Sequence, residues 1–270
     1  MPARALPKPA KAAKVQPSGD QARRVALVVG GARRVGAAIA LELARAGLDI
    51  IVTYRSSADE ARDVVERCRE LGVNAEARKL ELSKPALVES FARRLGATSP
   101  RLDVLVLSAS VYRPSPLAET TAAWASECYA VNALAPLLLC KHLGPLLASS
   151  SRGGQTSAVV AMGDIHAMGR PRKDFAAYSM SKAALLEMVQ CLARDLAPKV
   201  RVNAVAPGVV AWPESGYEST PEMQRAYVSR VPLARAGTPE DAAEIVAWLA
   251  LGARYVTGQI VRADGGRWLA

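Results

Sequence analysis

Seven short strand-like segments, most of them apolar and separated by stretches with helical spacing, constrain this chain more than any other feature. They fall at residues 25–29, 49–53, 74–79, 103–107, 157–161, 200–205 and 259–262. Runs of this length, several of them β-branched and bounded by Gly, Pro or Asn, suit strands buried on both faces. Strands that alternate with helices fold as right-handed crossover units around a parallel sheet. The expected fold class is α/β: one domain with a doubly wound parallel sheet of about seven strands and helices on both faces. At 270 residues, half of them hydrophobic, the chain can bury one core of that size. Ligands of such sheets lie at the carboxyl ends of the strands.

The end of the first strand carries Gly30-Gly31-Ala32-Arg33-Arg34-Val35-Gly36, followed by a helical pattern that closes at Gly47. Strand, glycine turn and helix together aim free backbone N–H groups and a helix N-terminus at a phosphate. An ordinary strand-to-helix turn is the alternative. The second strand ends in Tyr54-Arg55-Ser56-Ser57, with no acid to hold a ribose 2′-hydroxyl. A cation and hydroxyls suit a 2′-phosphate, so the expected cofactor is NADPH. Glu81 and Leu82, Ser108 and Ala109, and Pro207, Gly208 and Val209 stand at the ends of later strands and complete the expected cofactor contacts with Gly30, Arg33, Arg34 and Val35.

The chemistry centres on residues 164–182. Tyr178 and Lys182, four apart in a helical pattern, share one face. An ammonium beside a phenol favours phenolate, and a drop of about three units, roughly 4 kcal/mol, would bring the phenol near neutrality. Such a tyrosine can give and recover a proton. In the helix expected over 121–148, Pro136 has no N–H for the Asn132 carbonyl, which is then free to hold a water. Residues 209–230, whose first half lacks a period, are expected to form a substrate-covering loop and helix.

Composition excludes several classes. Half of the net charge of +10 sits in residues 1–24, where six basic residues face Asp20 alone. This Ala-, Pro- and Lys-rich stretch is expected to be a disordered basic tail ahead of a domain at 25–270. It resembles neither a secretory signal nor an amphipathic targeting helix. Nucleic-acid binding through it is the lesser alternative. No uninterrupted apolar run reaches the ~18 residues of a membrane span. Cys68, Cys128, Cys140 and Cys191 are far apart with no Cys-x-x-Cys pair, which points to buried free thiols in the cytoplasm and to no metal site.

With the glycine turn, Asn132, Tyr178, Lys182 and Pro207-Gly208 in this order, the chain from about residue 25 to 269 resembles the short-chain dehydrogenase/reductase family. The resemblance implies a Rossmann-type fold in which Tyr178 is the acid, Lys182 tunes it and holds the nicotinamide ribose, and Asn132 supports a water. Two replacements, Arg34 for the middle glycine and Asp164 for the usual serine, look like the pteridine reductase branch. So do the segments 109–117, 164–167 and 212–214. That branch implies Arg34 on the cofactor phosphates and the pterin, Tyr112 stacked over the pterin, and Ser110 and Trp212 as further substrate contacts. It also implies a homotetramer. Three details depart from the pattern: fourteen positions rather than thirteen separate Asp164 from Tyr178, Ser108 replaces an asparagine, and Tyr112 replaces a phenylalanine.

The expected function is NADPH-dependent reduction of dihydrobiopterin, dihydromonapterin or dihydrofolate, with Asp164, Tyr178, Lys182 and Asn132 as catalytic residues. A 3-oxoacyl thioester or other carbonyl reductase is the alternative within the family. A non-catalytic NADPH-binding regulator is the alternative from another class.

Overall fold

The computed structural model describes residues 23–214 and 217–270. Residues 1–22, and with them nearly all of the basic tail expected to be disordered, lie outside the described residues, as do 215 and 216 of the expected covering loop. The chain runs β1 (Val25–Val29), α1 (Arg34–Arg45), β2 (Asp49–Tyr54), α2 (Ala58–Glu70), β3 (Ala75–Lys79), α3 (Pro85–Thr98) and β4 (Val104–Leu107). It continues through α4 (Ala122–Tyr129), α5 (Ala135–Ser150), β5 (Ser157–Met162), α6 (Ala176–Asp195) and β6 (Val200–Pro207). The last elements are α7 (Pro221–Val228), α8 (Pro239–Ala247) and β7 (Ile260–Ala263).

All seven strands are parallel, in the order β3-β2-β1-β4-β5-β6-β7. Alternation along each strand divides the core in two. Ala26 and Val28, Val104 and Val106, and Ala158 and Val160 face a cluster with Ile39 and Leu43 of α1 and Val246 of α8. Their neighbours Leu27, Val29, Leu105, Leu107, Val159 and Ala161 face the opposite cluster, with Leu95 of α3, Leu139 and Leu143 of α5 and Val189 of α6. Strands buried on both faces leave their carboxyl ends as the one edge where loops can gather around a ligand. The strand order reverses between β1 and β4, so Gly30 and Ser108 emerge side by side.

The helical run 122–150 is long and apolar enough to cross a membrane by length and composition, although polar residues interrupt it. It lies in the core instead: Leu139, Leu143 and Leu147 are fully buried. Its helix is also not uniform. Ala130–Leu134 widens into a π turn, with the Ala135 N–H bonded back to the Ala130 carbonyl. The widening falls just before Pro136, which has no N–H to donate to Asn132. Cys68, Cys128 and Cys140 are buried free thiols, whereas Cys191 is exposed, against expectation.

Candidate active site

The glycine turn folds tightly on itself. A Cβ on Gly36 would stand 2.0 Å from the Gly30 carbonyl oxygen, and one on Gly30 would stand 2.7 Å from Ala109. Neither position tolerates a side chain, and the closeness of Ala109 shows β1 and β4 delivering their ends to one place. Arg33 precedes α1 without capping it by a side chain, so the first N–H groups of the helix lack a side-chain acceptor. Val35 is half-buried against the core. Arg34 keeps the positive φ, 52°, usual for the glycine it replaces, at a strain of about 1 kcal/mol. Its guanidinium donates to the carbonyls of Ala211 and Trp212, each at 3.0 Å, rather than lying free in the cradle. Arg33 pairs with Glu60 and Glu214. Both arginines thus tie the turn to the segment that follows β6.

The rest of the cradle is in place. The Thr53 hydroxyl accepts from the Gly30 N–H at 3.1 Å, Tyr54 is half-buried, and Arg55 and Ser56 are exposed. Glu81 folds back to accept from the Ser83 N–H and hydroxyl. Burial pushes its carboxyl up, but those bonds, with Arg55 and Lys84 nearby, outweigh it and leave the carboxyl below its ordinary value. Leu82 is buried. Pro207 ends β6, Gly208 donates to the Ala263 carbonyl at 3.0 Å, and Val209 donates to the Tyr227 hydroxyl at 2.8 Å. Backbone donors at a helix N-terminus, with a cation and a hydroxyl past β2 and no acid there, fit a phosphorylated dinucleotide.

Beside this cradle sits the proton-handling cluster. Tyr178 lies in the first turn of α6 and donates to Asp164 Oδ2 at 2.8 Å. Asp164 Oδ1 accepts from the His166 N–H at 2.7 Å, so one carboxylate caps the short turn Ile165–Ala167 and also holds the phenol. The extra residue between Asp164 and Tyr178 does not displace either. It is absorbed in the loop, where Gly169 has φ 94° and Asp174 φ 63°. Lys182 is buried one turn further on and donates to the Met162 carbonyl at 2.7 Å.

One electrostatic expectation is overturned. Lys182 does not bring the phenol toward neutrality: Tyr178 sits well above 10, pushed up by burial and then by the Asp164 carboxylate. The ammonium lies 6.0 Å from the phenol ring centroid and is turned toward Met162. Burial lowers Lys182 itself to about 8, with Asp164 pulling the other way.

Asn132, fully buried, spends its side chain on structure. Its Oδ1 accepts from the Val111 N–H at 2.9 Å and the Ser110 hydroxyl at 3.1 Å. Its Nδ2 donates to the Val111 carbonyl at 3.1 Å and the Ser181 hydroxyl at 3.0 Å. The asparagine therefore staples the loop after β4 to α6, and Ser110 is partly used up in that staple.

The opposite wall is aromatic. Tyr112 stacks on Phe175, centroids 5.0 Å apart, and meets Tyr178 edge-on at 4.9 Å. Trp212 stands edge-on to Tyr227 at 5.5 Å. Arg172 and Glu218 close the mouth: Tyr112 donates to Glu218 at 2.8 Å and accepts from Arg172 at 2.6 Å, and Arg172 pairs with Glu218. Sequence analysis missed Phe175, Arg172, Glu218 and Tyr227. Phe175 had a signal, since it lies three residues before Tyr178. Glu218 had none, because it meets Tyr112 across 106 positions.

What this edge of the sheet assembles is proton-handling chemistry beside a dinucleotide cradle, the division of labour of a nicotinamide-dependent oxidoreductase. The chain matches the family model described as enoyl-(acyl carrier protein) reductase over residues 30–267. The hydroxynaphthalene reductase of Aspergillus fumigatus is 34% identical over 255 residues, covering 87% of this chain and 89% of that protein. A 3-oxoacyl-acyl-carrier-protein reductase of Staphylococcus aureus is 30% identical over 246 residues, covering 90% and 98%. The crystal structure of a short-chain dehydrogenase from Burkholderia cenocepacia in complex with NADP superposes with a TM-score of 0.82 at 31% identity, covering 90% of this chain and 97% of that one. The chain belongs to the short-chain dehydrogenase/reductase family, as an oxidoreductase. None of these relatives is named a pteridine reductase, so that finer assignment stands on the residues alone.

Proposed function

We propose that this protein is an NADPH-dependent reductase of dihydropterins. The observation that carries the proposal is the carboxylate of Asp164 within 2.8 Å of the Tyr178 hydroxyl, where the resemblance places a serine in carbonyl reductases. A carbonyl that gains hydride becomes an alkoxide, and its oxygen is stabilised by hydrogen-bond donors. A carboxylate beside it repels that charge, where a serine hydroxyl would donate to it. A pterin presents ring N–H and amino groups that a carboxylate can accept, together with an imine nitrogen that must gain a proton.

NADPH, held in the cradle by the backbone of the glycine turn, would supply the hydride that the ring carbon next to that nitrogen gains. The nitrogen that results is a stronger base than phenolate, so Tyr178 can deliver its proton despite its raised pKa. Asp164, as a carboxylate, orients the phenol and accepts from the substrate; once protonated by solvent, it restores the proton. Lys182 keeps a positive charge under the site at neutral pH. Tyr112 and Phe175 supply a flat wall for the ring. Arg34, drawn from the Ala211 and Trp212 carbonyls, and Arg33 would serve the phosphates, with Arg55 and Ser56 on the 2′-phosphate. The segment after β6, pinned to the turn through the Ala211 and Trp212 carbonyls, would cover the substrate, with Trp212 as a contact. A cytoplasmic homotetramer belongs to the same proposal, on the family resemblance and the free thiols.

The second reading is a 3-oxoacyl reductase, favoured by the relative from Staphylococcus aureus. Following NADPH oxidation at 340 nm with dihydrobiopterin and with an acetoacetyl thioester separates the two. The proposal expects the higher kcat/KM with the pterin, and faster turnover of the thioester would overturn it.

A further inference from the structure

Two donors from different loops converge on Glu218: the Arg172 guanidinium, from the loop before α6, and the Tyr112 hydroxyl, from the loop after β4. The hydroxyl has one proton and already accepts from Arg172 at 2.6 Å, so that proton must point at Glu218. Each donor also has an aromatic neighbour. Arg172 lies over the Phe175 ring, 4.4 Å from its centroid, a placement that fixes a guanidinium in its own right. Tyr112 is held by its stacking on Phe175. The two donors belong to an aromatic cluster with Phe175, while Glu218 comes from a three-residue turn, Tyr217–Ser219, in the segment beyond β6.

We propose that Arg172 and Tyr112 bind a carboxylate that the substrate carries outside its ring, and that Glu218 is an internal competitor for the same place. This rests on the pterin reading given above and narrows it to dihydropterins with an anionic tail, of which dihydrofolate is the available probe. Phe175 and Tyr112 both pack on Tyr178, at 6.1 and 4.9 Å between centroids. The receptor therefore stands one aromatic ring away from the phenol. A charged substrate would replace one carboxylate by another without leaving the guanidinium unpaired. A neutral-tailed pterin would leave the Arg172–Glu218 pair intact.

The test compares KM and kcat for dihydrofolate and dihydrobiopterin in the wild type, Arg172→Gln and Glu218→Gln. Losing the guanidinium should raise KM for dihydrofolate about tenfold relative to dihydrobiopterin, the worth of one charge-assisted hydrogen bond. Losing the competitor should lower it about threefold. Opposite signs in the two variants are the signature, because a merely structural pair would shift both substrates the same way in both. If the wild type reduces both pterins and the ratio stays within twofold in each variant, the receptor is wrong and the pterin reading survives. If it reduces neither, both fall.

Discussion

The cofactor half of the site, at the ends of β1, β2 and β4, is made largely of backbone, whereas the substrate half, between Asp164, Tyr112 and Glu218, is made of side chains from separate loops. In the first, geometry comes with the sheet: Gly30 and Ala109 emerge side by side, and a side chain on Gly36 would stand 2.0 Å from the Gly30 carbonyl oxygen. In the second, each contact depends on a partner distant in sequence, and a single replacement changes the chemistry without touching the fold. One scaffold can therefore change its substrate, as the hydroxynaphthalene and 3-oxoacyl reductases among its relatives illustrate.

If the halves are separable, substitutions should affect one and spare the other. Tyr178→Phe removes the proton donor and should lower kcat roughly a thousandfold, while NADPH affinity, read by fluorescence titration, stays within a few-fold. A comparable loss of NADPH affinity would break the separation. Gly36→Ala should act in the opposite sense. Its methyl meets the Gly30 carbonyl, so NADPH affinity should collapse and stability fall by about 3 kcal/mol, as measured by urea denaturation with and without cofactor.

Lys182 sharpens the comparison through pH, because it is buried between the halves. Its folded pKa is about 8 against an ordinary 10.5. Below about 8 both the folded and the unfolded chain hold the proton, and the burial penalty is complete. Between about 8 and 10.5 only the unfolded chain holds it, so stability should rise with pH across that window. Relative to Lys182→Met, the wild type should gain on the order of 2 kcal/mol from the lower to the upper end. A flat difference would show that the ammonium is not buried as described. The smallest effect belongs to Glu214→Ala. Its pair with Arg33 is exposed, and the change in stability should stay within about 0.5 kcal/mol.

The same contrast explains what the sequence disclosed. Strands and glycine turn follow from local patterns, and their bounds agree with the structure to within a few residues, whereas the strand order came only from the structure. Tyr178, Lys182 and Asp164 were legible because one helix turn and one strand end place them. The phenol's electrostatics were not, since they depend on burial and on a carboxylate fourteen positions away, neither of which the four-residue spacing encodes. Arg34 was expected on a ligand and is found on the carbonyls of Ala211 and Trp212, 177 and 178 positions distant. The Arg172–Glu218–Tyr112 mouth has no period or motif at all, because only the fold brings its three loops together.

The central claim is that the Asp164 carboxylate, hydrogen-bonded to Tyr178, sets the substrate. Asp164→Ser tests it most directly, with kcat/KM measured for a dihydropterin and for an acetoacetyl thioester under saturating NADPH. The account predicts a fall of roughly a hundredfold for the pterin together with a rise for the thioester. Pterin turnover within twofold of the wild type, or loss of both activities in proportion, would contradict it.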